Sequence, residues 1–263
     1  MRTIFTFLLG MAAVAVLLAG YFHWHQRIEA STTHIASAAG APESAAATSQ
    51  AKTDDSDLIS YTRNWPKSAA DRFQQTLKEN KPFKILFVGS PAFGTDTTGA
   101  YPVVKKKLLD TFGAKHIEVN LKTYKTTTKQ FVNANKQAEI ASEKADFVIF
   151  EPFILLNNGE VLIEDTLANV SKIIADVQAK NPNTTFALQP SYPLYKAKIY
   201  PAQVAELKKY AAAHHITYLD HWTAWPNQTT PAFKEYLTPD QSAPSENGSQ
   251  VWSDYLIHYL IHN

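Results

Sequence analysis

A few residues of the 263-residue chain have the types and positions that acyl-transfer chemistry needs. Ser90 follows the apolar run Lys84–Gly89 (KILFVG), Asp220 ends the run Ile216–Asp220 with His221 just beyond it, and Asp240 comes later. A serine hydroxyl attacks a carbonyl only if a base takes its proton, and a carboxylate orients that base. Ser90 as nucleophile, His221 as base and Asp240 as orienting carboxylate therefore form the expected catalytic set, with Asp220 an alternative to Asp240. Glu151, which follows FVIF directly, is a further candidate because burial there would raise its pKa into the range useful for acid–base work. Each also has a plain structural use. Ser90 can cap the next turn, His221 can pack against Trp222 and Trp225, and Glu151 can accept hydrogen bonds from loop amides.

Tyr192, Tyr195, Tyr200, Trp222 and Trp225 fall on two neighbouring loops, where their rings can stack on sugar rings or seal the core. Lys105, Lys106 and Lys107 read as a solvated face. His258 and His262 lie one helical turn apart but have no third ligand, so neither a metal nor any other cofactor is expected. The absence of cysteine rules out thiolate catalysis, Cys-ligated zinc and disulfides. A net charge of +1 gives no reason to expect nucleic acid as a partner.

The elements that must position these residues alternate along the chain. Strands are expected at Lys84–Gly89, His116–Leu121, Asp146–Glu151, Thr184–Gln189 and Ile216–Asp220. Between them Leu167, Val170, Ile174 and Val177, and then Val204, Leu207 and Ala211, recur at helical spacing. A last helix carries Val251, Tyr255, Tyr259, Leu256 and Leu260. Continuously apolar strands alternating with helices predict a three-layer α/β/α domain over residues 58–263, with a parallel five-stranded, flavodoxin-like sheet. Ligands of such folds gather at the carboxyl ends of the strands, which is where the candidate residues fall.

Ahead of this domain, Ile4–Phe22 is free of charge and long enough to cross about 30 Å of hydrocarbon, so residues 1–28 are expected to form a transmembrane signal anchor. A cleaved signal peptide is the alternative. Residues 29–57, rich in Ala, Ser and Thr, read as a flexible tether that would hold the domain roughly 30 Å outside the membrane.

The order of these features resembles the SGNH/GDSL hydrolases, α/β/α esterases and acyl hydrolases with four short sequence blocks. Gly89-Ser90-Pro91 stands where the family has Gly-Asp-Ser, which puts Pro91 at the nucleophile's place. NLKTYKTTT (120–128) puts Lys125 where an oxyanion glycine belongs. EPFILLNNG offers Asn157 or Asn158 as the oxyanion amide. LTPDQSAPSENG matches the family at Asp240, Pro244 and Gly248 but has Ala243 at the place of the histidine. The resemblance implies a hydrolase-like domain acting on O-acyl groups of cell-envelope glycans or lipids. Alternatively, the domain has lost catalysis and binds a glycan or a partner protein. In either case the expected binding residues are Glu151, Asn157, Asn158, Tyr192, Trp222 and Trp225.

Overall fold

The computed structural model describes residues 55–262. The expected anchor, and all of the tether before residue 55, lie outside them. Two helices come first, α1 (Asp55–Tyr61) and α2 (Lys67–Lys78); α1 begins ahead of the expected domain start at residue 58. Strand β1 (Phe83–Gly89) leads through a short turn into α3 (Ala100–Phe112) and β2 (Ile117–Thr123). Then come α4 (Thr128–Asn133), α5 (Gln137–Ser142), β3 (Phe147–Phe150), α6 (Ile154–Asn157) and α7 (Ile163–Lys180). The domain closes with β4 (Thr185–Leu188), α8 (Ile199–Ala213), β5 (Thr217–Tyr218) and α9 (Glu246–Leu260).

The five strands form one sheet in the order β2-β1-β3-β4-β5, and every pairing is parallel. Alternation along β1 divides the core. Ile85 and Phe87 face the side covered by α1, α2, α3 and α9, while Leu86 and Val88 face α4, α5, α7 and α8. Coverage on both faces explains why the strands read as unbroken apolar runs. Burial of Val170, Ile173, Ile174 and Val177 on α7, and of Val204, Leu207 and Ala211 on α8, follows the expected helical spacing. On α9 the deeply buried face is Trp252, Leu256 and Leu260, with Val251, Tyr255 and Tyr259 only half-buried beside it.

The chain goes from β1 to one side of the sheet and returns to place β3 on the other. This reversal opens the carboxyl edge between β1 and β3, the topological switch point at which open α/β sheets bind ligands. Ser90 and Glu151 are the residues that follow those two strands.

Candidate functional site

Glu151 continues the ladder beyond β3, its amide donating to Val88 O at 2.8 Å. Its side chain turns across the sheet edge, and Oε2 accepts the Ser90 N–H at 2.5 Å. Gly89 makes this approach possible, since a Cβ there would lie 2.9 Å from both Cβ and Oε2 of Glu151. The next turn is strained: Phe153 adopts φ 57° and is held by packing against Phe131 and Phe150. Burial pushes the Glu151 carboxyl up to about 7, with hydrogen bonding from Ser90 pulling the other way.

Ser90 does not cap the turn Pro91–Phe93. It is only 4% exposed; its Oγ lies close enough to the Glu151 carboxylate to lower that group's pKa but makes no hydrogen bond of good geometry, and neither does Glu151 Oε1. Ser191 Oγ is likewise buried and unpaired under the neighbouring loop. Buried polar atoms without partners are uncommon, and several at one sheet edge mark a place where hydrogen bonds remain to be made.

At the other end of the same edge the histidine is fully paired. His221 has no exposed surface and stacks on Trp252 with ring centroids 4.6 Å apart. Trp225 Nε1 donates to its Nδ1 at 3.0 Å, so the proton sits on Nε2, which donates to Pro190 O at 3.0 Å. Burial drives its pKa down to about 3. No ring nitrogen is left for Ser90. Asp220 pairs with Lys208 at 2.6 Å. Asp240 lies exposed on a separate turn, accepting from the hydroxyls of Thr238 and Ser242, which hold its carboxyl below the usual range. Ser90, His221 and Asp240 are therefore not brought together as one hydrogen-bonded unit.

The expected binding residues also divide. Both ends of the Asn157 amide are committed, Oδ1 to the Thr128 N–H and Nδ2 to the hydroxyls of Thr128 and Thr166. Asn158 is exposed. Tyr192 and Trp225 are buried, and Trp222 is half-buried with its Nε1 donating to Ser191 O. Of the aromatic set, Tyr195 keeps a half-open ring, crossed by the ammonium groups of Lys196 and Lys234. Lys125, at the place of the oxyanion glycine, is exposed. Sequence reasoning missed Trp252, whose ring carries His221 and whose Nε1 donates to buried Gln189. The signal available was a tryptophan on the apolar side of the last helix.

Strand order, switch point and closing helix can be set against solved structures. A protein described as a GDSL-like lipase from Parabacteroides merdae superposes with a TM-score of 0.58 at 13% identity, covering 69% of this chain and 96% of that one. The fold is SGNH/GDSL hydrolase-like. A lipolytic G-D-S-L-type protein from Desulfitobacterium hafniense matches at TM-score 0.51 and 18% identity, covering 67% and 98%. An acetylxylan esterase from Geobacillus stearothermophilus matches at TM-score 0.51 and 15% identity, covering 69% and 95%. Catalytic mutants of that esterase exchange a serine, an aspartate or a histidine. No protein-family model and no curated protein matches the chain in sequence.

Proposed function

We propose that this SGNH-type domain binds a cell-envelope ligand and does not hydrolyse esters through a Ser–His–Asp triad. One observation carries the reading: the histidine at the carboxyl edge has both ring nitrogens engaged by Trp225 and Pro190. Without His221 as base no triad activates the Ser90 hydroxyl, and Pro91 has no N–H to give an oxyanion. The test is turnover of a short-chain aryl ester by the purified chain and by Ser90→Ala. Equal background rates are expected, and a wild-type rate that disappears in Ser90→Ala overturns the reading.

One arrangement favours a second reading, an esterase built on Ser90 and Glu151. Glu151 touches the Ser90 amide, neither Ser90 Oγ nor Glu151 Oε1 makes a hydrogen bond of good geometry, and the carboxyl titrates near 7. In that scheme the ionised carboxylate takes the Oγ proton as Oγ bonds to the acyl carbon. The alcohol leaves with that proton, and water then frees the acid and restores the hydroxyl. Turnover lost in both Ser90→Ala and Glu151→Gln, with a wild-type rate rising as pH passes about 7, would establish this scheme.

The reading includes a location outside the cytoplasm, with Ile4–Phe22 as a single-pass anchor; its support is the length of that uncharged run. Intact chain in the alkali-washed membrane pellet is expected. A soluble chain shortened at its N-terminus would favour secretion after cleavage.

A further inference from the structure

A groove of about 580 Å³ opens between the start of α7 and the start of α8, at the same carboxyl edge as Ser90 and Glu151. Asn158–Glu164 form one wall, and Ile199, Ala202, Gln203 and Glu206 form the other. Leu162 is 71% exposed and Ile199 68%, the largest exposures of any large apolar side chain among the described residues. Scattered exposed apolar residues need no explanation, but two lining one groove do.

Leu162 departs from ordinary design twice. It holds the N-cap of the 18-residue α7, where a serine, aspartate or asparagine would satisfy an amide, and its side chain makes no capping bond. It also leaves its apolar side chain in water. Neither feature serves folding, and a position that breaks local rules without return to stability points to function.

The remaining chemistry of the groove specifies the occupant. Glu160, Glu164 and Glu206 supply all the formal charge of its lining. Glu206 is paired with Lys209, whereas neither Glu160 nor Glu164 is in an ion pair among the described residues. The groove thus offers apolar contact at its walls, negative charge at its rim and the uncapped first-turn amides of α7 for a peptide C=O.

Resting on the binding reading above, we infer that the ligand is a peptide segment of a partner protein, with apolar side chains seated against Leu162 and Ile199 and flanking Lys or Arg facing the glutamates. The probe is a display library of short random peptides, selected on the full chain in mild detergent. Enriched peptides should carry Leu, Ile or Phe beside Lys or Arg, and the best of them, synthesised, should bind at least about tenfold more weakly to Leu162→Ser and to Ile199→Ser. Since serine is a better N-cap, Leu162→Ser should melt no lower than wild type, which separates lost binding from lost folding. Glu160→Lys with Glu164→Lys should turn the selection toward acidic peptides.

No enrichment, uncharged or acidic peptides from wild type, or binding indifferent to Leu162→Ser overturns the proposal. So does a dimer in sedimentation that Leu162→Ser dissociates, which would make the occupant a second copy of the chain. Ser90-dependent ester turnover would remove the non-hydrolytic reading without touching the peptide result. Peptide binding that ignores the groove variants would remove this inference and leave that reading standing.

Discussion

The carboxyl edge of the sheet carries two buried polar centres that differ in one respect. Both ring nitrogens of His221 have partners, whereas at Ser90 and Glu151 a hydroxyl and a carboxylate oxygen have no bond of good geometry. Full satisfaction is the mark of a group used for folding, and unmet hydrogen bonds at a switch point are the mark of a group kept for something else. The histidine that sequence position nominates as a base is thus a stabilising residue, and the glutamate beside Ser90 is the more interesting one.

The comparison breaks most sharply at His221. His221→Ala removes the face stacked on Trp252 and strands Trp225 Nε1 and Pro190 O in the interior. A loss of roughly 3–5 kcal/mol is expected from cavity and unpaired groups together, read by urea unfolding. A variant of wild-type stability would show that the ring is not structural and would reopen its role as a base.

Glu151→Gln should act in the opposite direction and only above mildly acid pH. The unfolded carboxyl ionises near its ordinary 4.5 and the folded one near 7, so between these values the fold holds the extra proton and stability falls as pH rises. The difference reaches about 3 kcal/mol above pH 7, and glutamine should recover most of it while still accepting the Ser90 N–H. His221 shapes the acid side. Its folded pKa near 3 lies below the ordinary 6.5, so its contribution is complete above 6.5 and is lost as pH falls toward 3. Between about 4.5 and 6.5 the two slopes oppose each other, so urea midpoints should be level there and fall slightly toward pH 7, whereas in Glu151→Gln they should climb through the same range; a level midpoint in Glu151→Gln would place the titration elsewhere.

Gly89→Ala comes next in size. The added methyl would sit 2.9 Å from the Glu151 side chain, and the expected cost is about 1–3 kcal/mol for overpacking. Glu151→Gly, which removes both Cβ and Oε2, should relieve it, giving a coupling above about 0.5 kcal/mol in a double-mutant cycle. Independent effects would mean that the glycine answers to some other neighbour.

The fold was legible because its signals are local and repeated. Apolar runs such as KILFVG and FVIF, and the spacing of Val170, Ile174 and Val177, report sheet and helix through burial of their own side chains. The short β5 was less so, with Thr217–Tyr218 paired where the run Ile216–Asp220 suggests more. The site was legible in place but not in role. Ser90 and Glu151 stand at strand ends, where order along the chain puts them. What a side chain does there depends on partners far away in sequence: Trp252 for His221, Thr128 for Asn157, Lys208 for Asp220. Such pairings are set by the packing of α9, α4 and α8 on the sheet, and no spacing within one segment encodes them.

Asp240 supplies the smallest and most discriminating test. Sequence position gives it the orienting role in a triad, while the structure gives it a turn. Its carboxylate takes hydroxyls from Thr238 and Ser242, and Thr238 N–H closes the same turn on Ala243 O at 2.9 Å. Because the group is exposed, Asp240→Asn should lower the thermal midpoint less than any variant above. The difference should fade in acid: hydrogen bonds from Thr238 and Ser242 depress the folded pKa, and their contribution is lost as pH falls through it. Adding His at Ala243 restores the family's histidine three residues after the aspartate, so Ala243→His can be compared with Ala243→His/Asp240→Asn on an aryl ester. Ester turnover should stay at background in both, since the neighbouring edge is packed around His221 and Ser90 lies buried. Turnover that appears in the single variant and is lost in the double would mean that one residue separates this domain from a working triad, and that the difference between the two ends of the edge is recent rather than built into the packing.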